Sequence, residues 1–306
     1  MKVYRNIDEF QKLDNAIVTT GTFDGVHVGH QKIIKRLKEI AHKEIGETVL
    51  LTFFPHPRMV LFPENDELKL LTTEEEKISL LKFYGVDHLI IHPFTKEFSR
   101  LSSAEFVRNI LVNKIGTQKL VIGYNHHFGR NREGTFEHLK EFGPIYGFDV
   151  EEIPAQDIDS INVSSTKIRH AIITGDIKTA NLYLGHSYSL SGHVITGNKI
   201  GRTIGFPTAN ILIKQNYKMI PLDGVYAVDV FLKGEKYAGM LNIGNRPTIG
   251  TNEKTIEVNI FEFDQDIYNQ EIVVSFKDRI RDEIKFKDLN ALIDQLKKDK
   301  IIASSF

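Results

Sequence analysis

The chain has no cysteine and no tryptophan among its 306 residues. The absence of cysteine excludes disulfide bonds, zinc sites built from thiolates and cysteine nucleophiles, and it fits a reducing compartment. The absence of tryptophan means that a flat ligand would have to stack on one of the 20 phenylalanines or 10 tyrosines.

Long apolar runs and an excess of one charge are also missing. No segment approaches the roughly 18 consecutive apolar residues that cross a bilayer, and the N-terminal sequence MKVYRNIDEF is charged and amphipathic rather than signal-like. The 39 Lys and Arg residues balance 40 Asp and Glu residues, so no overall field attracts nucleic acid or a membrane surface. We therefore expect a cytoplasmic protein with neither kind of partner, in which local groups hold any anionic ligand.

Length and pattern together predict two domains. A chain of 306 residues exceeds what one hydrophobic core usually accommodates. Up to about Gly185, short runs rich in Val, Ile and Leu alternate with stretches of helical period, which predicts a parallel sheet covered by helices on both faces. The predicted strands are Ala16–Thr20, Thr48–Phe54, His88–His92, Lys119–Gly123 and Asp149–Ile153. The predicted helices are Gln31–Glu44, Thr73–Tyr84, Ser102–Lys114, Thr135–Phe142, Ser165–Thr174 and Ile177–Leu184.

The pattern changes after Gly185-His186-Ser187. Short alternating segments punctuated by Gly, Pro and Asn predict an antiparallel sheet or barrel. These segments are Tyr188–Val194, Gly224–Leu232, Lys236–Ile243, Thr255–Phe261 and Glu271–Arg281. A final helix, Asp288–Lys300, has Leu289, Leu292, Ile293 and Leu296 at helical spacing, and we expect these four side chains to be core residues.

The segment Thr20–His30, TGTFDGVHVGH, lies between the first predicted strand of the sheet and the helix that follows. Such a junction presents free backbone N–H groups and the positive end of a helix dipole, which suit phosphate. His27 and His30 are three residues apart and can share one face of the first helical turn. Together they would stabilise charge on a triphosphate attacked at its α-phosphorus. The alternative is a tight turn in which the two histidines only cap the helix or pack.

This segment resembles the HxGH signature of nucleotidyltransferases that transfer an adenylyl or cytidylyl group. The preceding Gly21-Thr22-Phe23-Asp24-Gly25 narrows the resemblance to the FMN adenylyltransferase module of bacterial FAD synthetases. The resemblance implies that His27 and His30 are catalytic. It also implies that nucleotide contacts are made by Gly21, Phe23, Asp24 and Gly25.

Two further segments of the first half, each at the end of a predicted strand, resemble sequence motifs of the same family. Phe53-Phe54-Pro55-His56-Pro57-Arg58 is either a rigid turn or part of a pocket lining, and the family has a similar FxPHP string on the flavin side. Ile122–Arg130 is similar to a GxDFxFG or GxNFxFG loop, with Asn125 and Phe128-Gly129 in register and His127 in place of the usual arginine. The resemblance implies that Asn125 positions substrate. A metal site at the adjacent His126 and His127 is disfavoured because neighbours on an extended chain point in opposite directions.

The segment Val163–Arg169, VSSTKIR, opens a predicted helix with hydroxyl residues and basic side chains. Cations are unfavourable beside a helix N-terminus, so a bound anion would explain them, although a solvated face would also do so. Together with HxGH the segment resembles the second nucleotidyltransferase signature, ISSTxxR. The resemblance implies that Ser164, Ser165, Thr166 and Arg169 hold the phosphates that leave as pyrophosphate.

The second half contains a glycine-rich segment, Gly192–Asn210, which suits either phosphate binding or hairpin turns. Thr208 and Asn210 offer oxygen atoms two positions apart, as Mg²⁺ prefers. The string GRTIGFPTAN resembles the riboflavin kinase signature. The resemblance implies that Thr208 and Asn210 bind Mg²⁺. It also implies that nucleotide or flavin contacts are made by Gly201, Arg202, Pro207 and Arg281.

Glu257 is the candidate general base of the second half. A strand carboxylate facing a pocket can accept the proton of a primary alcohol that attacks phosphorus, whereas an isolated strand glutamate is more often only exposed. Ile256–Phe263 resembles the family's VEVHxxDF-like string, which implies a catalytic Glu257. Asn259, Glu262 and Asn269 depart from the family pattern, which leaves the base in place and puts the efficiency of the kinase in question.

The resemblance covers nearly the whole chain. It implies a Rossmann-like FMN adenylyltransferase domain over residues 1–185 and an antiparallel-barrel riboflavin kinase domain with a terminal helix over 186–306. Riboflavin, FMN and FAD would be substrates and products, with ATP as co-substrate and Mg²⁺ as cofactor. Two alternatives stay open: an HxGH transferase for phosphopantetheine, nicotinamide mononucleotide or choline phosphate, and a non-catalytic flavin-binding protein.

Overall fold

A six-stranded parallel sheet forms the centre of the first part of the computed structural model. The structure describes residues 1–64, 68–124, 126–154, 163–197, 200–248 and 251–306. The strands lie in the order β1-β4-β3-β2-β5-β6, and every neighbouring pair is parallel. Their bounds are Lys2–Tyr4 (β1), Ala16–Thr20 (β2), Glu47–Phe54 (β3), His88–Pro93 (β4), Thr117–Gly123 (β5) and Asp149–Ile153 (β6). The predicted parallel sheet is confirmed.

Helices connect these strands. They are α1 (Val28–Glu44), α2 (Pro57–Leu61), α3 (Glu74–Phe83), α4 (Ser103–Glu105) and α5 (Phe136–Tyr146), with short 3₁₀ turns at Ile7–Glu9, Phe98–Arg100 and Arg130–Arg132. The helix predicted over Ser102–Lys114 is one α-helical turn that continues as a π-helix, Phe106–Ile115. Within the described residues, no helix combines the length and apolar character that crossing a membrane requires.

Strand β2 is buried along its whole length and leads directly into the Thr20–His30 segment. All five of its residues are buried, and successive side chains enter opposite cores: Val18 lies in one hydrophobic cluster and Ile17 in the other, as the alternation of a strand requires. β2 pairs with β3 on one side and β5 on the other. The strand order therefore reverses at β2, and in parallel sheets ligands bind at the carboxyl ends of strands beside such a reversal.

Helix α1 follows this strand because its apolar residues recur at helical spacing. Ile33, Ile34, Leu37 and Ile40 are buried against the sheet, whereas the opposite face of α1 is polar. The helix begins at Val28, three residues before the predicted start, so His30 belongs to the first turn of the helix.

The second part of the chain forms a closed six-stranded antiparallel barrel in the order β10-β11-β8-β7-β12-β9. Its strands are Ser189–Ile195 (β7), Ala209–Leu212 (β8), Gly224–Leu232 (β9), Glu235–Thr248 (β10), Thr251–Ile260 (β11) and Glu271–Arg281 (β12). Closure leaves no free sheet edge. The predicted barrel is confirmed, and β8, which is only half-buried, is a strand that the sequence pattern did not predict.

The described part of the second unit also contains the helices α6 (Ser165–Ile173), α7 (Ile177–Leu184), α8 (Ile200–Thr203) and α9 (Leu289–Ser304). The chain divides into two compact units, Met1–Ser164 and Ser165–Phe306. α7 belongs with the barrel because the Asn181 amide donates to the Phe276 carbonyl at 2.8 Å, and its oxygen accepts from the Tyr188 N–H at 2.7 Å. The domain boundary between 185 and 186 lies later than this division, and it stays a prediction.

Helix α9 is the predicted terminal helix, and it packs on the barrel through Leu296 and Ala303, beside Phe261 and Met240. Leu292 and Ile293 are half-buried. Leu289 is 53% exposed, so its assignment to the core is wrong: it is the first residue of the helix, before the apolar stripe reaches the barrel.

Candidate functional sites

The turn between β2 and α1 is shaped by an unusual backbone path. Phe23, Gly25 and Val26 all have positive φ, at 47°, 82° and 40°, which costs side-chain-bearing residues energy. The carboxylate of Asp24, 1% exposed, compensates because it accepts from the Leu71 N–H at 3.0 Å and from the Thr72 N–H at 3.2 Å. Asp24 thus anchors the turn to the segment before α3.

His27 and His30 form a stacked pair at the N-terminus of α1. His27 is the N-cap residue, and its Nδ1 accepts from the His30 backbone N–H at 3.4 Å. A neutral His27 therefore carries its proton on Nε2. The two rings are nearly parallel at 14°, with centroids 3.7 Å apart, and Phe23 packs against His30 at 4.7 Å. The pair is where the resemblance predicts it, at the carboxyl edge of the sheet.

The environment of His30 favours the uncharged form of its imidazole. Burial lowers its pKa well below the usual range, and the positive potential of His27 and Lys77 lowers it further. The Nδ1 atom of His30 is buried and has no hydrogen-bond partner in the structure. A neutral ring at a helix N-terminus can act on phosphate oxygens as a hydrogen-bond donor.

Lys77 is a member of this cluster that the sequence analysis missed. It lies on α3, is 7% exposed, and donates from Nζ to the Thr22 carbonyl at 2.8 Å. Burial lowers the pKa of Lys77, while the nearby charge of Asp24 opposes that effect. From sequence alone, a lysine one turn into an amphipathic helix is expected to be exposed to solvent. The local sequence therefore gives no signal that Lys77 is buried.

The loop after β5 belongs to the segment Ile122–Arg130, and part of it packs against the hydrophobic core. Asn125 lies outside the described residues. Phe128 is 7% exposed and packs in a hydrophobic cluster. Gly129 has φ of +73°, and a Cβ atom there would lie 2.8 Å from the Ser103 nitrogen, so a side chain would clash. His126 is half-buried with its Nε2 atom enclosed, and this desolvation lowers the pKa of His126 to about 4.

Among the residues that the structure describes, neither this loop nor any other region contains a metal-binding cluster of His, Asp and Glu side chains. Groups of three or more His, Asp or Glu side chains placed to hold a metal ion are absent there. His127 is exposed, whereas the Nε2 atom of His126 is buried.

The hydroxyl and arginine residues of the VSSTKIR segment lie around the division between the two units. Ser164 ends the first unit, and Ser165 begins α6 in the second. Thr166 is exposed, and Arg169 is half-buried on the same helix. That these residues act together with His27 and His30 on one nucleotide stays a prediction.

In the barrel, the three residues predicted for phosphoryl transfer are brought together. Glu257 on β11 is paired in register with Asn210 on β8, and the Thr208 hydroxyl donates to the Glu257 carboxylate at 3.4 Å. The cluster thus offers hydroxyl, amide and carboxylate oxygens side by side. This is the oxygen-only donor set that Mg²⁺ takes together with phosphate and water, so the residues fit the predicted metal.

Glycines allow the chain to approach these residues closely. A Cβ atom on Gly197 would lie 2.1 Å from the Asn210 amide nitrogen, and one on Gly201 would lie 2.2 Å from the Phe206 carbonyl oxygen. Gly201 and Arg202 belong to the short helix α8, with Arg202 exposed. The glycine-rich segment therefore lies against the Thr208–Asn210 cluster.

Asn259, one of the departures from the family pattern, supports the same cluster. It is 6% exposed, and its amide donates to the Pro207 carbonyl at 2.6 Å. This bond fixes the residue that precedes Thr208. Asn269, a second departure, has φ of +61°, a conformation that glycine adopts easily and asparagine tolerates.

Arg281 is the last residue of β12, and its side chain pairs with an aspartate of α9. Its guanidinium donates to Asp299 on α9 at 3.0 Å from Nε and 2.7 Å from Nη2, and to the Asp282 carbonyl at 2.8 Å from Nη1. Asp299 is fully buried. In this structure Arg281 joins β12 to α9, and its predicted contact with a nucleotide or flavin stays a prediction.

Comparison with known proteins matches both halves of the chain. Residues 9–167 match the model of the FAD synthetase family, and residues 184–306 match that of riboflavin kinase. Three relatives are each described as a bifunctional riboflavin kinase/FMN adenylyltransferase. The protein of Listeria monocytogenes is 40% identical over 94% of this chain and 90% of the relative. Those of Buchnera aphidicola from Acyrthosiphon pisum and of Escherichia coli are 37% and 34% identical, each over 100% of this chain and 98% of the relative.

A solved structure has the same fold over the whole chain. The crystal structure from Streptococcus pneumoniae, described as a macrolide-efflux protein, matches with a TM-score of 0.91 and 34% identity over 100% of this chain and 99% of that one. Its description differs in activity from that of the relatives above. The two family models account for both halves of the sequence, so the functional assignment follows them.

Proposed function

Because the chain belongs to the family of bifunctional riboflavin kinase/FMN adenylyltransferases, we propose that its two candidate sites act in succession on one flavin. The chain is an enzyme of FAD biosynthesis. Its C-terminal domain phosphorylates riboflavin to FMN with ATP, and its N-terminal domain adenylylates FMN to FAD. The finer assignment of residues to steps follows from the geometry of each site.

In the barrel, Glu257 is the general base. The ribityl 5′-hydroxyl attacks the γ-phosphorus of ATP, its proton passes to the Glu257 carboxylate, a new O–P bond forms, and ADP leaves. The hydroxyl of Thr208, 3.4 Å from that carboxylate, and the side chain of Asn210, in register with it, would hold Mg²⁺. The metal, when bound, neutralises phosphate charge during transfer.

In the parallel-sheet unit, the α1 N-terminus with His27 and His30 is the adenylylation site. An FMN phosphate oxygen attacks the α-phosphorus of a second ATP, and the bond to pyrophosphate breaks. His27 and His30 act on the charge that develops on the α-phosphate. Gly21, Phe23, Asp24 and Gly25 shape the turn for nucleotide, and Asn125 positions the substrate. Ser164, Ser165, Thr166 and Arg169 hold the leaving pyrophosphate.

The observation that carries this proposal is the clustering in the barrel. Thr208, Asn210 and Glu257 are up to 49 residues apart in sequence, yet strand pairing brings their side chains together. A non-catalytic flavin-binding protein has no need of a carboxylate beside two metal-binding oxygens. A cytoplasmic location belongs to the same proposal, since ATP serves both reactions.

The test is the acceptor specificity of the purified chain. We expect ATP and Mg²⁺ to convert riboflavin to FMN and FMN to FAD. Phosphopantetheine, nicotinamide mononucleotide and choline phosphate, offered with ATP or CTP, should give no nucleotidyl product. Turnover of one of these acceptors without turnover of flavin would contradict the proposal. Omission of Mg²⁺ should stop both flavin reactions.

A further inference from the structure

Lys77 is a buried titratable group that the assigned reactions do not use, and it lies next to the proposed adenylylation site. It comes from α3, outside the Thr20–His30 segment, yet its ammonium lies beneath that segment and donates to the Thr22 carbonyl at 2.8 Å. Thr22 also accepts from the Thr52 hydroxyl at 3.1 Å. The carbonyl is thus held from two separate elements, β3 and α3, at the start of the turn with positive φ angles.

Burial of a lysine is costly unless its charge has a use or a partner. Here the stabilising charge is Asp24, which opposes the effect of burial on the pKa of Lys77. Asp24 itself accepts the backbone N–H groups of Leu71 and Thr72. The fold therefore places the positive charge of Lys77 within reach of the negative charge of Asp24, which belongs to the turn with positive φ angles.

The charge of Lys77 also reaches His30. Among the described residues, His27 at the N-cap of α1 and Lys77 on α3 act electrostatically on His30. Phe23 covers one side of the ring at 4.7 Å. A positive charge from α3 makes it harder for His30 to gain a proton, in addition to the effect of burial.

We propose that Lys77 is a positioning residue for FMN adenylylation: its ammonium fixes the Thr22 carbonyl at the start of the turn that carries His27 and His30. The inference rests on the proposed adenylylation site. Lys77 does not contact substrate in this account, since its Nζ is directed at the backbone of the turn. It acts through the position and the protonation state of His30.

The test compares Lys77→Met with Lys77→Arg. Methionine removes both the charge and the hydrogen bond at similar volume, whereas arginine retains a donor and a positive charge. We expect Lys77→Met to lower kcat for FAD formation from FMN by about tenfold or more, as for loss of a charged hydrogen bond. The acid limb of its pH–rate profile should move to higher pH, because His30 then protonates more easily. Lys77→Arg should retain more activity and a limb near that of the unaltered chain.

The chain offers two controls for this test. Lys38 on α1 also donates to a backbone carbonyl, that of Tyr84 at 3.1 Å, but is solvent-exposed, so Lys38→Met should leave FAD formation unchanged. FMN formation from riboflavin takes place in the barrel, and all the variants should retain it. If Lys77→Met does not fold, Lys77→Gln, which keeps a polar side chain, is used for the same pH profile.

The outcomes separate the inference from its premise. Wild-type FAD formation in Lys77→Met, or a loss of activity with the acid limb unmoved, would overturn the role of Lys77 while leaving the proposed function intact. Absence of FAD formation in the unaltered chain would overturn both. A lowered kcat with a shifted acid limb, reversed by arginine, would establish the positioning role.

Discussion

The rings of His27 and His30 lie 3.7 Å apart and within 14° of parallel, at the N-terminus of the helix that follows the central strand of the sheet. This arrangement requires both rings to be neutral or only one to be charged, because two stacked imidazolium ions would repel each other. The low pKa of His30 meets that requirement. The stacked pair therefore gives α1 two aligned side chains at the positive end of its dipole.

Replacing His30 should separate the two reactions. We expect His30→Ala to reduce FAD formation from FMN by about a hundredfold or more, since it removes a donor to charge that develops in the transition state. FMN formation should be unaffected because the barrel has its own site. Chromatography of flavin products from parallel incubations with riboflavin and with FMN gives both rates. Loss of both reactions in a folded variant would show that the assignment of one reaction to each site is wrong.

Replacing Glu257 should have the opposite effect. Glu257→Gln keeps the shape of the side chain but cannot accept a proton, so riboflavin phosphorylation should fall by about a hundredfold or more. FAD formation from supplied FMN should continue. Glu262→Gln is the matched control, because Glu262 follows β11 outside the cluster. Equal losses in the two variants would argue against Glu257 as the base.

His126 makes the stability of the first unit depend on pH. Burial lowers its pKa from 6.5 to about 4, so between these values the unfolded chain binds a proton that the folded unit does not. The free energy of unfolding therefore falls as the pH drops from 6.5 toward 4 and reaches its full value above 6.5. We expect His126→Gln to flatten this dependence, measured by urea denaturation across that range.

The neighbouring residue provides the control for that measurement. His127 is exposed, so His127→Gln should leave the pH dependence of unfolding as it is in the unaltered chain. If the two variants flatten the dependence equally, the burial of His126 is not its cause.

The buried ion pair between Arg281 and Asp299 should be a major contribution to the stability of the barrel. Asp299→Asn leaves a guanidinium of low exposure without its carboxylate, which costs about 3 kcal/mol. Asp294→Asn is the control: its ion pair with Lys297 on the same helix is exposed, at 3.7 Å, and such pairs contribute less than about 1 kcal/mol. Thermal unfolding of both variants measures the difference. Similar unfolding temperatures would show that the Arg281 pair does not hold α9 to β12.

For strands with a strong local signal, the sequence pattern predicts both ends to the residue. Ala16–Thr20, Asp149–Ile153, Gly224–Leu232 and Glu271–Arg281 have the bounds that the sequence pattern gives. By contrast, β1 has only three residues, and β8 is half-buried and lies in a glycine-rich region. Such strands form because neighbouring strands pair with them. The local sequence does not indicate this pairing.

The candidate sites show the same limit. Residues within a continuous motif, such as His27 and His30, were found because the motif itself signals a strand–turn–helix junction. Lys77 was not found, because its burial depends on how α3 packs under the turn. Asn259 departs from the family pattern, which puts the efficiency of the kinase in question, and its bond to the Pro207 carbonyl could be seen only in the structure because Pro207 is 52 residues away in the chain.

The central claim is that one chain carries out two successive reactions on the same flavin. A time course with riboflavin, excess ATP and Mg²⁺, followed by chromatography, tests it most directly. The account predicts that FMN appears first and that FAD then accumulates, with ADP and pyrophosphate both formed. Riboflavin that remains unchanged, or FMN that accumulates without any FAD, would contradict it.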